Sequence, residues 1–203
     1  MYPGLWAIIP VKPFSSGKSR LAGVLDAGRR QTLNRRMFEH VLGLAMAAIE
    51  PIRVIVATPD TTIATDAQRR GGYGVIETEE SGLNAALRQG CRYAMDRGAQ
   101  AIMVLPSDLP FLTAEDIAAL ASALPAAPGM AIAPDASETA TNALALSPPQ
   151  SEFFRFGPSS FEAHMEAARE HGYAVKIVRR PGLAFDLDTP ENYRAFMQRS
   201  AAT

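Results

Sequence analysis

Ala101-Ile102-Met103-Val104-Leu105 is an unbroken apolar run. A strand with one wet face alternates apolar and polar residues. An unbroken run of this length suits a strand covered on both faces, as in a parallel sheet between two helical layers. It has companions. Trp6-Ala7-Ile8-Ile9-Pro10-Val11, Arg53-Val54-Ile55-Val56-Ala57-Thr58, the short Val75-Ile76, and Met130 to Pro134 also read as strands. Helical patterns fall between them. Leu33, Met37, Val41, Leu44 and Ala48 recur at helical spacing between Asp26 and Ile49. A short polar helix covers 61–70, and Leu83, Leu87, Cys91 and Ala94 mark another that ends near Gly98. Thr113 followed by Asp116 reads as a capping box opening a helix to Leu124. This β-α-β rhythm through residue 134 predicts an α/β fold with a doubly wound, mostly parallel sheet.

The rhythm then changes. Residues 135–142, DASETATN, are polar and turn-like, and Ala143 to Leu146 is a strand ahead of Ser147-Pro148-Pro149. A helix is predicted from about 160 to 171, a strand from Ala174 to Val178, and a terminal helix after FDLDTP, with Pro190 in its first turn. These later strands are expected to add antiparallel pieces. A chain of 203 residues with no repeat or low-complexity tail predicts one domain over 1–203, long enough to bury a substantial core.

Several function classes are excluded by what is missing. A net charge of −1 argues against bulk electrostatic binding to nucleic acid. Cys91 is the only cysteine, which rules out an internal disulfide and a Cys-rich metal site and fits a reducing cytoplasm. The start of the chain has prolines and no basic leader, unlike a signal peptide. No stretch approaches the roughly 18 apolar residues of a membrane span. No G-x-S-x-G elbow and no G-x-G-x-x-G fingerprint occurs. His40, His164 and His171 lack zinc-ligand spacing.

The polar stretches at strand ends carry the chemistry. Ser16-Gly17-Lys18-Ser19 resembles the end of a P-loop, but the position that should hold the first glycine is Lys12. Three cations remain, Lys12, Lys18 and Arg20, just past the first strand, where ligands bind in open α/β sheets. They can hold a triphosphate or form a solvated basic loop. Asp108, in Leu105-Pro106-Ser107-Asp108-Leu109-Pro110, follows the most apolar strand. A carboxylate there suits a hard cation such as Mg²⁺ bridging to substrate phosphates. Asp186 and Asp188 alternate on a strand-like segment, so both point one way. One can complete a metal site with Asp108. Alternatively, Asp188 or Thr189 caps the last helix. Ser81-Gly82-Leu83-Asn84 opens a helix and suits either a nucleoside contact or plain capping. Thr141-Asn142, with Gly157-Pro158-Ser159-Ser160 at a helix start, suits an anion or a turn.

Taken in order, IPVKPFSSGKSRLAGVL, GLNAALRQG, LPSDLP, TNALAL, FGPSSFEAHMEAA and DLDTPEN resemble the 2-phospho-L-lactate guanylyltransferase family of coenzyme F-420 biosynthesis, from about residue 6 to 195. The resemblance implies a Rossmann-like nucleotidyltransferase fold with helices on both faces of the sheet, and Mg²⁺ as cofactor. It implies transfer of GMP from GTP to the phosphate of 2-phospho-L-lactate, phosphoenolpyruvate or 3-phosphoglycerate, with release of pyrophosphate. It assigns Lys12, Lys18 and Arg20 to the nucleotide phosphates, and Gly82 and Asn84 to the nucleoside. Asp108 becomes a metal ligand partnered by Asp186 or Asp188, with Lys18 and Asp108 as the catalytic pair. Thr141, Gly157 and Ser160 hold the acceptor. A homodimer and hand-off of the product to a downstream transferase are compatible with it, as is a cytoplasmic enzyme using neither nucleic acid nor membrane. Sugar-phosphate or molybdenum-cofactor nucleotidyltransferases and a non-catalytic nucleotide-binding module are the alternatives. Asp135-Ala136-Ser137-Glu138-Thr139-Ala140 departs from the basic, glycine-rich approach common in the family, which leaves the acceptor open.

Overall fold

The computed structural model describes residues 4–76 and 82–201. Among them, seven strands form one sheet: β1 Leu5–Pro10, β2 Val54–Thr58, β3 Tyr73–Ile76, β4 Ala101–Val104, β5 Gly129–Pro134, β6 Thr141–Ser147 and β7 Ala174–Ile177. Their order is β3-β2-β1-β4-β6-β5-β7. The first four are mutually parallel, with Ala7 opposite Val54 on one side and Met103 on the other. β6 runs antiparallel to both β4 and β5, and β7 is parallel to β5.

The apolar runs follow from two covered faces. Leu5, Ala7 and Ile9 of β1, with Ala101 and Met103 of β4, face a core completed by α1 (Ala27–Ala48) and α4 (Ala114–Ala123). Trp6, Ile8, Ile102 and Val104 face the other core, filled by α3 (Leu83–Met95) and α5 (Ser160–Glu170). A strand buried on both sides has no reason to alternate. Ile8 is fully buried; truncating such a side chain to alanine costs about 2–5 kcal/mol.

Local signals set the helix starts. The Asp26 side chain accepts from Arg29 N at the head of α1, and Asp60 accepts from Thr62 and Ile63 N at the head of α2 (Thr61–Arg69). Thr113 and Asp116 form the anticipated reciprocal capping box on α4. A four-residue helix, α6 (Pro181–Ala184), breaks the stretch before FDLDTP, and α7 (Pro190–Ala201) closes the chain with Pro190 in its first turn. The segment 185–188 is not a strand. Leu187 N donates to Asp108 O across 3.1 Å, which lays this segment beside the loop after β4. Among the described residues, no helix is long and apolar enough to cross a membrane.

The topology makes the site. From β1 the chain builds outward through β2 and β3, then crosses to β4 on the opposite side. Loops leaving β1 and β4 therefore diverge at a switch point, and a crevice opens between them. Because β6 is antiparallel to β4, its first residue, Thr141, lies at that same edge.

Candidate active site

The loop leaving β1 is pinned before it reaches Lys18. Val11 N extends the ladder to Ala57 O. Pro13 O accepts from Ser16 N, Gly17 N and Ser16 Oγ, which folds the loop into a tight turn. Helix α1 grips it from below. Asn34 Nδ2 donates to Phe14 O at 2.8 Å, the Phe14 ring packs on Phe38, and the Arg35 guanidinium sits over that ring. A Cβ at Gly17 would lie 2.6 Å from Asn34 Nδ2, so either that bonded amide or the loop would have to shift. Lys18 follows in the left-handed region, φ 58°, ψ 38°. This conformation costs a non-glycine residue about 1 kcal/mol, a kind of strain that clusters at functional sites.

The Lys18 side chain turns inward and is 7% exposed. Its Nζ donates to Asp108 Oδ2 at 2.8 Å and to Asp188 Oδ1 at 2.6 Å. Two acidic stretches 80 residues apart in sequence thus meet on one ammonium. Burial works to lower the Lys18 pKa, but the two carboxylates outweigh it and hold the ammonium above its ordinary value. Asp186 belongs to the same charge neighbourhood. Burial, then repulsion from Asp108 and Asp188, pushes its pKa up. Thr189 does the helix capping: its Oγ1 accepts from Asn192 N, and Asn192 Nδ2 donates to Asp186 O. Asp188 is thereby left to Lys18.

A cavity of about 490 Å³ opens beside this cluster, a size typical of small-molecule sites. Lys12, Lys18, Gly82, Asp108 and Asp188 line it, with Pro10, Val11 and Leu83 as apolar wall and Asn34 and Met37 from α1. The cations expected to act as one cradle are separated. Lys18 lies on the carboxylates, Lys12 lines the cavity, and Arg20 is 75% exposed with Nη1 4.0 Å from Asp188 Oδ2. Gly82 takes φ 113° at the start of α3, a conformation open to glycine. Ser81 lies outside the described residues.

Other predicted positions are committed to the protein itself. Asn84 Nδ2 donates to Phe156 O, and Phe156 N donates to Asn84 Oδ1, both at 2.9 Å. Thr141 N donates to Ser160 Oγ at 2.9 Å. Arg155 N donates to His164 Nε2, which leaves the Nδ1 proton to Thr141 Oγ1 at 2.9 Å. His164 is fully buried, and burial pulls its pKa down to about 4, so the ring is neutral. Gly157 is exposed at φ 144° and its carbonyl accepts from Ser160 N. Thr141, Gly157 and Ser160 are not part of the cavity's wall. Met37, read in the sequence as part of the apolar stripe of α1, also lines the cavity, and so does Asn34, which went unread. The available signal was an asparagine, a poor helix former, inside an apolar helical stripe.

Among the described residues, no three His, Cys, Asp or Glu side chains converge tightly enough to hold a metal. Asp108 and Asp188 do converge, with a cation between them. Two carboxylates plus substrate phosphates is a pattern Mg²⁺ adopts, so the donor set fits that ion.

Over residues 5–201 the sequence matches the protein family described as guanylyl transferase CofC like. It is 41% identical over 188 residues to a phosphoenolpyruvate guanylyltransferase of Rubrobacter xylanophilus, covering 93% of this chain and 91% of that one. It is 29% identical to a 3-phospho-D-glycerate guanylyltransferase of Colwellia psychrerythraea, covering 91% and 87% of the two chains. A Methanothermobacter nucleotidyl transferase superimposes with a TM-score of 0.62 over 98% of each chain, at 15% identity, a likeness of fold alone. On sequence and fold together, the chain belongs to the guanylyl transferase CofC-like family of nucleotidyltransferases.

Proposed function

We propose that this protein transfers GMP from GTP to the phosphate of phosphoenolpyruvate and releases pyrophosphate. The observation that carries the reading is the convergence of Lys18, Asp108 and Asp188 in the wall of the cavity. Choice of acceptor follows the relatives: the more similar ones act on phosphoenolpyruvate, and the 3-phospho-D-glycerate enzyme is more distant. The product then belongs to coenzyme F-420 biosynthesis, where a downstream transferase takes it up.

The chemistry needs no covalent intermediate. An oxygen of the acceptor phosphate attacks the α-phosphorus of GTP in line. The new P–O bond forms as the bond from the α-phosphorus to the α–β bridging oxygen breaks, and that electron pair leaves with pyrophosphate. A phosphate monoester is largely ionised at pH 7, so no general base is called for. The histidines agree with this. His40 bonds Leu112 O, His171 bonds Ala167 O, His164 is buried, and none lines the cavity.

What the chain supplies is positioning and charge. Asp108 and Asp188 would hold Mg²⁺, with Asp186 adding to the negative field; the ion supplies neutralisation of the crowded phosphates and a template for the two reactants. Lys12 from the cavity wall and the exposed Arg20 beside Asp188 would meet the nucleotide's phosphates, and the wall of Pro10, Val11 and Leu83 would receive the nucleoside. Gly82 lets the backbone approach it closely.

The test offers GTP with phosphoenolpyruvate, 2-phospho-L-lactate and 3-phosphoglycerate in competition and identifies products by mass spectrometry. The guanylyl diphosphate adduct of phosphoenolpyruvate should dominate. Turnover of a hexose phosphate with none of the three overturns the reading. GTP binding without any pyrophosphate release would make the protein a binding module.

A further inference from the structure

Lys18 already bonds both carboxylates that the reading above gives to a divalent cation. An ammonium and a metal ion cannot share that position. An ammonium is also a compact point charge on a flexible stem, equally suited to a phosphate. We propose that Lys18 is a resident counter-ion. It closes the Asp108–Asp188 pair to divalent cations until a nucleotide's phosphates draw the ammonium away, so that metal and nucleotide enter together.

Three observations carry this. The backbone of Lys18 is held on its upstream side: Gly17 has no free space against Asn34, and Asn34 is bonded to the loop. Downstream, Leu21 N donates to Lys18 O as the short helix Ser19–Leu21 begins. The adjustable part is therefore the side chain, whose movement needs no refolding of the loop. Next, the same cavity that borders Asp108 and Asp188 borders Lys18, so the ammonium has a place to swing. Finally, cations able to gather phosphates stand nearby. Lys12 lines the cavity and Arg20 approaches Asp188, so phosphates drawn to these cations arrive within reach of Lys18. Once it moves, Asp108 and Asp188 keep only the solvent-exposed Arg20, 4.0 Å from Asp188 Oδ2, as an ion-pair partner among the described residues, and an incoming divalent cation is favoured.

The inference rests on the proposed nucleotidyl-transfer reading, and its test is separate from turnover. Mn²⁺ binding to the full chain is followed by electron paramagnetic resonance, without nucleotide and with a GTP analogue whose α–β bridge is a methylene. The wild type should bind Mn²⁺ weakly alone and at least about tenfold more tightly with the analogue. Lys18→Met, which keeps the stem, should bind Mn²⁺ at least about tenfold more tightly than the wild type without nucleotide. Equal affinity of wild type and variant in the absence of nucleotide overturns the proposal. Should the variant not fold, NMR of ¹⁵N-lysine-labelled wild type decides. The Lys18 ammonium signal should stay put with Mg²⁺ alone and shift with Mg²⁺ plus analogue; a shift with Mg²⁺ alone overturns the proposal. GTP turnover assayed beside these keeps the two failures apart. A turning-over enzyme that binds metal first refutes only the counter-ion role. The predicted metal behaviour without turnover refutes only the reaction.

Discussion

The Lys18–Asp108–Asp188 cluster and the Thr141–Ser160–His164 cluster lie at the same edge of one sheet, but their polar atoms are spent differently. In the first, both carboxylates are partly exposed, 28% and 42%, and face a cavity beside a single shared cation. In the second, every residue is buried and each named polar atom bonds another part of the chain. The first retains bonding capacity for a ligand. The second holds β6, α5 and the 153–157 segment in place. A site and its support can occupy one edge and look alike in sequence. What separates them is whether the hydrogen-bonding capacity is left over.

Charge removal in the first cluster should have the largest effect. Asp108→Asn should lower the rate of pyrophosphate release by about 10²- to 10³-fold, the range for removing one electrostatic group from a reaction centre. Circular dichroism should show the fold retained. Full activity would take Asp108 out of the mechanism.

The second cluster should respond in stability. His164 has a pKa of about 4 when folded, against about 6.5 unfolded. The unfolded chain therefore binds more protons in that window, and stability rises with pH across it. The contribution, roughly 3 kcal/mol by linkage, is fully present above about pH 6.5 and lost as pH falls towards 4. Urea unfolding of the wild type and of His164→Gln between pH 4 and 7 measures it. The wild type should show the extra slope, and parallel curves would contradict a neutral buried His164.

A substitution can also shift the first cluster while leaving the second alone. Gly17→Ala puts a Cβ against the Asn34 amide and should displace the loop bearing Lys18. Steady-state kinetics should give a GTP KM raised about tenfold, as expected of a small misplacement of a positioning group. The pH dependence of stability should stay as in the wild type. The smallest effect is expected at Asn84, whose amide clamps the Phe156 backbone. Asn84→Ala should cost about 1–2 kcal/mol in urea unfolding with little change in GTP KM. A large KM effect without loss of stability would move Asn84 to the nucleotide.

Much of this was legible in the sequence, for identifiable reasons. Strands buried on both faces read as unbroken apolar runs, so β1, β2 and β4 were visible together with their common edge. Asp108 and the cations after β1 followed from that edge. The contest between Asp188 and Thr189 for the helix cap was not resolvable, since both residue types cap; only the bond from Asn192 N to Thr189 settles it. Thr141 and Ser160 read as anion ligands because their buried partner, His164, lies on a helix whose packing the sequence does not reveal. The pairing of Lys18 with two carboxylates, across 90 and 170 residues, depends on the loop geometry imposed by Gly17 and Asn34 and left no local signature.

In the proposed reaction Asp108 and Asp188 act as one unit around a shared cation. A double-mutant cycle tests it: pyrophosphate release from GTP and phosphoenolpyruvate by Asp108→Asn, Asp188→Asn and the double variant. Residues acting as a unit are strongly non-additive, so the double variant should lose little more than the worse single variant. Losses that multiply would show two independent groups and contradict the claim.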